Sequence, residues 1–542
     1  MLTRLKVSGF KSLVDVDVRF GPFTCITGAN GAGKSNLFDA ILFLSALADD
    51  TLVKAAMSVR AASESGGDLL GIFHRSGSER VERIRLEADM ILPKSGMDEL
   101  GQPVQATSTL VRYVVELAWR SNRSENPEAG PIELIEESLV ALPLMDQGEH
   151  LMFPNSREWS KSVLQGSRKR EYISSRADSG QRLVQLHQDG RSGRKLKRPA
   201  KGLPRTVLST VQAEYPTVVL AKREMQSWRL LQLESTALRR PDSFDAPTHL
   251  TSHGGHLAAA LYHLSRCTSP GADSDAAAAF EAAVYARVSN RLSELIDDVR
   301  TISVERNDAH RVYTLQIETR DGTRHPAHAL SDGTLRFIAL AVTELDRQSG
   351  GLLCFEEPEN GIHPRRIGAM LELLQEIAMD TSMAVDDNNP LRQVLINTHS
   401  PTVVSLVPDD ALLVAQWVEG VRPSSSQGSN DLLHLPGATA PLGLPQGEST
   451  FPVTGTTLND AAPKRTGKPL RYRQTVFACL PKTWRTEKLP RHRVEARGNL
   501  LSFLNPSAYE LASTVELGSP TRTRRVMDRS DLVQGSFWET LK

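Results

Sequence analysis

The run Gly28-Ala29-Asn30-Gly31-Ala32-Gly33-Lys34-Ser35 carries the clearest chemistry in this chain. It follows the pattern G-x-x-x-x-G-K-[ST]. A short apolar stretch, Phe23-Thr24-Cys25-Ile26-Thr27, precedes it, and a helical pattern follows, with Leu37, Ile41, Leu42, Leu44 and Leu47 along one face. Glycines let the backbone curl so that successive N–H groups point inward at phosphate oxygens. The helix amino terminus adds partial positive charge. Lys34 is expected to reach the β- and γ-phosphates of ATP, and the Ser35 hydroxyl to bind Mg²⁺. The expected cradle comprises Gly28, Ala29, Asn30, Gly31, Ala32, Gly33, Lys34, Ser35 and Asn36.

Three further runs carry related chemistry. Gly351-Leu352-Leu353-Cys354-Phe355 is an apolar strand that ends in Glu356 and Glu357. Glu356 is expected to hold Mg²⁺, and Glu357 to orient and deprotonate a water that attacks the γ-phosphate. Leu330-Ser331-Asp332-Gly333 opens a helix just before that strand. A serine hydroxyl, a glycine N–H and a helix dipole make a second phosphate cradle; a plain helix cap at Ser331 is the alternative. One site has no need of two cradles, so Ser331 and Gly333 are expected to serve the nucleotide of a second copy. Val394-Leu395-Ile396 runs into Asn397-Thr398-His399, where His399 is expected to hydrogen-bond the γ-phosphate or the lytic water; a purely structural strand-end histidine is the alternative.

The elements that must position these groups follow from periodicity. Val14-Asp15-Val16-Asp17-Val18 alternates strictly, as a half-buried strand does. Strand patterns recur at 82–92, 109–119, 132–143, 301–306 and 312–319, and helical ones at 256–266, 274–298, 333–348 and 365–379. Residues 351–356 and 393–398 read as buried strands. Residues 155–205 are polar and strongly basic, and residues 420–470 are rich in Ser, Gly, Pro and Thr. No internal repeat or sustained heptad is present.

Composition excludes several classes. The 542 residues carry 64 basic and 64 acidic side chains, so net charge names no partner. Cys25, Cys267, Cys354 and Cys479 fit neither a disulfide framework nor a zinc site. No stretch reaches the ~18 apolar residues of a membrane span, and no signal-peptide pattern opens the chain. A cytoplasmic protein with no membrane association is expected.

Taken in order, these motifs resemble the ABC-type ATPase heads of the RecF and SMC group. Leu5-Lys6-Val7-Ser8-Gly9-Phe10-Lys11-Ser12-Leu13 resembles that group's opening strand, and Glu356-Glu357-Pro358-Glu359-Asn360-Gly361-Ile362-His363-Pro364 its small bacterial AAA-family members. Trp228, Gly254, Leu257 and Ala258 resemble a lid-like segment, but His253 and His256 stand where the group usually has an acid and an Asn. A metal site from His253, His256, His263 and Cys267 is the lesser reading beside a helix surface. The resemblance implies an α/β P-loop NTPase of ABC-ATPase head type. A mixed sheet flanked by helices would carry an inserted helical and basic region and a C-terminal extension. The implied segments are 1–150 and 301–419 for the head, 151–300 for the insertion, 420–470 for a linker and 471–542 for the extension. Catalysis by Glu357, His399 and Lys34, metal binding by Ser35 and Glu356, and an ATP-dependent homodimer are further implications. Gln102 and Gln105 are candidates for the Mg²⁺-sensing glutamine.

The expected role is a switch in DNA repair, DNA maintenance or anti-phage defence. A transporter's nucleotide-binding subunit and an ATP-clamped module with vestigial hydrolysis are the alternatives. DNA, held by the basic segments, and an effector protein are candidate partners, with a solvated loop the alternative for those segments. No D-x-D follows Glu419, so no nuclease is expected.

Overall fold

The computed structural model describes residues 1–59, 68–77, 79–120, 130–166, 170–178, 181–189, 195–267, 274–293, 296, 298–346, 350–422 and 470–488. The chain divides into two compact units, Met1–Val418 with Gln474–Lys542, and Glu419–Arg473. The site lies in the first. Most of the 420–470 segment, and residues 489–542 of the expected extension, lie outside the described residues.

Alternation builds the first layer. β1 (Leu2–Phe10) and β2 (Leu13–Arg19) pair antiparallel with Leu5 opposite Val18 and Val7 opposite Val16. Val14, Val16 and Val18 are buried while Asp15 and Asp17 point to solvent. Arg83–Ile91, Leu110–Trp119 and Ile132–Ala141 continue this sheet close to where the pattern predicts them. Glu171–Asp178, Gln181–His187 and Lys195–Pro199 extend it to eight strands, all antiparallel.

The region 151–300 is thus shared between layers, since it also supplies Arg229–Leu231 to a second sheet. Ile173, Val184 and Leu186 are the apolar positions that the basic composition of this stretch hides. They turn inward while Arg176 and Arg182 stay exposed.

The second sheet is built from near-continuous apolar runs, as befits strands covered on both faces. Its order is Arg229–Leu231, Gly351–Glu356, Arg392–Thr398, β3 (Phe23–Thr27), Leu412–Arg422 and Leu470–Cys479. The first five run parallel. Alternate residues of one strand face two different cores. Leu352 and Cys354 pack with α1 (Lys34–Leu47) and the antiparallel sheet, whereas Leu353 and Phe355 pack under helices Asp332–Leu345 and Ile367–Ile377. Phe355 is 1% exposed, and truncating it to alanine would cost about 3–5 kcal/mol. A small antiparallel sheet, Val299–Asn307 against Val312–Thr319, closes the far side of that core. Among the described residues no helix is long and apolar enough to cross a membrane.

Candidate nucleotide site

The loop after β3 is shaped by three glycines at positive φ: Gly28 (144°), Gly31 (78°) and Gly33 (91°). Close packing adds a second reason at two of them. A Cβ on Gly28 would stand 2.3 Å from the Ala415 carbonyl oxygen, and one on Gly33 would stand 2.1 Å from Thr475 Oγ1. Gly33 is also the N-cap of α1, and no side chain caps that helix. An uncapped amino end presents backbone donors and the positive end of the dipole to an anion.

Lys34 is 8% exposed and folds back over the loop, donating to the Gly28 oxygen at 2.6 Å and the Ala29 oxygen at 3.1 Å. Burial pulls its pKa down, while Glu357 and Glu359 favour the charged form. Ala32 is buried in the core beneath the loop. Asn36 donates from Nδ2 to Ser12 Oγ at 2.7 Å.

Glu356 ends the Gly351–Glu356 strand and is held by two amides. Asn397 Nδ2 donates to its Oε1 at 3.3 Å, and Gln232 Nε2 donates to its Oε2. Glu357 takes φ of 46°, a left-handed conformation costly for a residue with a Cβ and concentrated at functional sites. Its N–H donates to the Asn397 carbonyl at 3.0 Å and to Asn397 Oδ1 at 3.2 Å, so one asparagine fixes both acids. The Glu357 carboxylate meets His399 Nδ1 at 2.8 Å and accepts from Asn360 Nδ2 at 2.7 Å. Behind it, Glu359 accepts from the Thr398 hydroxyl, its Oε2 has no hydrogen-bond partner, and burial raises its pKa.

These groups open onto one cleft of about 550 Å³. Lys34, Ser35, Asn36, Glu356 and Glu357 line it, with Asn30, Gly31 and Gly33 from the loop. His399 reaches it through Glu357. Gly28, Ala29 and Ala32 do not line it. Ser331 and Gly333 do not line this cleft. Ser331 caps its helix, accepting from Thr334 N at 3.2 Å, and a Cβ on Gly333 would stand 2.4 Å from the Gly361 oxygen.

Three cleft residues escaped the sequence reading. Gln232 follows a three-residue strand, too short for periodicity to reveal, yet its amide touches Glu356. Gln102 and Gln105 lie instead on the hairpin of Ser95–Met97 with Pro103–Gln105 and do not line the cleft. Asn397 was legible only as the end of a strand. Arg336, one turn past Ser331, lines the cleft and donates from Nη1 to the Asn360 oxygen at 2.7 Å. Its Nε is buried without a partner, and burial lowers its pKa.

His253 and His256 are occupied elsewhere, facing Glu234 at 3.0 Å and Asp242 at 3.1 Å. Among the described residues no group of three or more His, Cys, Asp or Glu side chains could hold a metal. The cleft offers a different donor set: the Ser35 hydroxyl, the Glu356 carboxylate and the Gln232 amide are oxygen ligands of the kind Mg²⁺ takes together with phosphate and water. The residues present therefore fit that ion.

A curled glycine loop, a lysine, a strand ending in two acids and a histidine beside the second acid define a P-loop head. Family comparison agrees. Residues 1–61 match the RecF/RecN/SMC N-terminal domain, and residues 154–405 match the AAA domain described as a putative AbiEii toxin of a type IV toxin–antitoxin system. Over these two segments the chain is similar to RecF/SMC-type ATPases of the AAA class. It is 35% identical over 83 residues to the DNA replication and repair protein RecF of Porphyromonas gingivalis, which covers 15% of this chain and 22% of that one. It is 30% identical over 120 residues to RecF of Marinobacter nauticus, 21% of this chain and 32% of that one. A 41-residue stretch is 51% identical to the OLD nuclease of Thermus scotoductus, 8% of each chain. The chain thus spans a third or less of each of these relatives. Among solved structures, the SMC head of Thermotoga maritima is 12% identical, covering 76% of this chain and 94% of that one, with a TM-score of 0.28.

Proposed function

We propose that the chain binds and hydrolyses ATP and that two copies close head to tail around the nucleotide. The observation that carries this reading is the convergence of three separate segments on one cleft: Lys34 and Ser35, Glu356 and Glu357, and Gln232. Lys34 leaves its two loop carbonyls to meet the β- and γ-phosphates. Ser35 and Glu356 hold Mg²⁺, which neutralises charge on the phosphate oxygens when bound. Glu357 takes the proton of the attacking water, oriented by His399 and Asn360. Ser331 and Gly333, which do not line their own cleft, serve the γ-phosphate of a second copy.

Phosphate release from mixed variants tests the head-to-tail arrangement. Ser331→Arg alone and Lys34→Ala alone are each expected to be inactive. Their mixture regains a fraction of wild-type turnover, because one of its two composite sites then keeps both an intact P-loop and an intact Ser331. Wild-type turnover by Ser331→Arg alone would reduce Leu330–Gly333 to a helix cap.

The biological reading is a switch in the cytoplasm that acts in DNA repair, DNA maintenance or anti-phage defence, with DNA or an effector protein as partner. The RecF relatives and the family descriptions support it. ATP turnover measured with and without duplex DNA tests it. Stimulation that fades as salt rises is the expected result.

A further inference from the structure

The carboxy-terminal strand Leu470–Cys479 touches the phosphate loop through a short polar chain. Asn36 Nδ2 donates to Ser12 Oγ at 2.7 Å, and Ser12 Oγ lies 2.6 Å from Thr475 Oγ1. The Thr475 N–H donates to the Ser12 carbonyl at 2.9 Å. Ser12 accepts from the amide, so its own proton can pass on to Thr475. Thr475 is fully buried.

Gly33, the residue before the catalytic lysine, faces this pair directly. A Cβ there would stand 2.1 Å from Thr475 Oγ1 and 2.7 Å from Ser12 Oγ. Ser12 sits in the turn between β1 and β2, and that turn is also pinned to α1, with Lys11 Nζ 2.6 Å from Asp39 Oδ2. Asn36 and Asp39 are three residues apart and share one helix face. The turn is therefore fastened to the first turns of α1 on one side and to Thr475 on the other.

We propose that Thr475 is a positioning residue of the phosphate loop, so that the carboxy-terminal strand is a working part of the nucleotide site rather than an appendage to it. The proposal rests on the ATP reading above. The loop must keep its N–H groups curled inward before any phosphate arrives, and an anion is bound more tightly when that shape is already set. Thr475 supplies a wall against Gly33 and the end of the hydrogen-bond chain that holds Asn36. Removing its hydroxyl leaves the shape of the wall but frees Ser12 and Asn36 to take other positions.

The test compares full-length wild type, Thr475→Val, Thr475→Ser, Ser12→Ala and the Thr475→Val/Ser12→Ala double variant. Affinity for a fluorescent ATP analogue, KM and kcat for ATP, and thermal unfolding without nucleotide are measured for each. Thr475→Val is expected to weaken the analogue about threefold to tenfold, as the loss of one buried hydrogen bond does. It should raise KM with kcat little changed, the pattern of lost uniform binding. Thr475→Ser should restore affinity. The double variant should be no worse than the poorer single one, because both act through one chain of contacts. A Thr475→Val protein that melts lower but binds the analogue like wild type would make the residue structural only and overturn the proposal. Additive losses in the double variant would overturn it as well. Failure of the wild type to bind the analogue at all would instead remove the ATP reading, and this proposal with it.

Discussion

His399 Nδ1 stands 2.8 Å from Glu357 Oε1, while the other carboxylate oxygen accepts the Asn360 amide at 2.7 Å. The side chain best placed to act as a base is therefore gripped at both oxygens. Its backbone is held too, at φ of 46°, by the Asn397 amide and carbonyl. The pair is open to solvent, His399 at 45% and Glu357 at 37%, so its value lies in orientation and not in stability.

Glu357→Gln should keep ATP binding, lose turnover by about a hundredfold or more, and accumulate a dimer with ATP. The amide preserves the shape of the side chain but cannot take the proton. Phosphate release and sedimentation with and without ATP measure the two effects. A monomer under both conditions would sink the head-to-tail model.

Gln232→Ala should shift the dependence on metal more than the dependence on ATP. Its amide holds Glu356, so without it the carboxylate is free to turn away from the ion. Turnover titrated with Mg²⁺ should show a half-maximum raised about tenfold or more, with much of the rate returning at high Mg²⁺. An unchanged Mg²⁺ curve would assign Gln232 a packing role.

Arg336→Lys should lower kcat while leaving ATP affinity near wild type. The guanidinium holds the Asn360 carbonyl, and Asn360 in turn holds Glu357, so the arginine acts on the base at one remove. A lysine keeps the charge but not the fork. A small misplacement of the base can cost about a hundredfold, and a loss of roughly tenfold is expected here. Equal loss of affinity and rate would show that Arg336 meets the nucleotide itself.

Glu137 predicts a pH dependence of stability remote from the cleft. It is fully buried in strand Ile132–Ala141 and accepts from Val207 N at 2.6 Å, Leu208 N at 2.8 Å and the Tyr113 hydroxyl at 3.2 Å. Burial outweighs these donors and pushes its pKa up to about 7. The folded chain therefore holds a proton that the unfolded chain releases nearer the ordinary carboxylate value. Stability from this group is full at low pH and falls as pH rises to about 7, by on the order of 3 kcal/mol. Glu137→Gln should be less stable at low pH, where its amide faces backbone donors, yet should lose less between pH 5 and 8. Denaturant midpoints across that range check the difference in slope.

The cleft was legible in part because phosphate chemistry restricts local sequence. Gly28 to Ser35 and Glu356 with Glu357 had to be contiguous, since loop curvature and strand ends are local properties. Gln232, Asn397 and Arg336 were not legible in the same way. Gln232 has no motif around it, and Asn397 and Arg336 sit in runs whose other residues carried the signal; the meaning of each is a distance to a residue far along the chain.

The same division holds for the fold. Alternation in Val14–Val18 and the apolar runs at Phe23–Thr27, Gly351–Glu356 and Arg392–Thr398 fixed strands by themselves, because side-chain period and burial are written residue by residue. Tertiary structure alone decided that Glu171–Asp178, Gln181–His187 and Lys195–Pro199 of the basic stretch extend the antiparallel sheet and that Arg229–Leu231 pairs beside Gly351–Glu356. It alone brought Thr475 against Gly33. Pairing partners and close contacts are set by which surfaces bury each other best across the whole chain, and no window of sequence contains that competition.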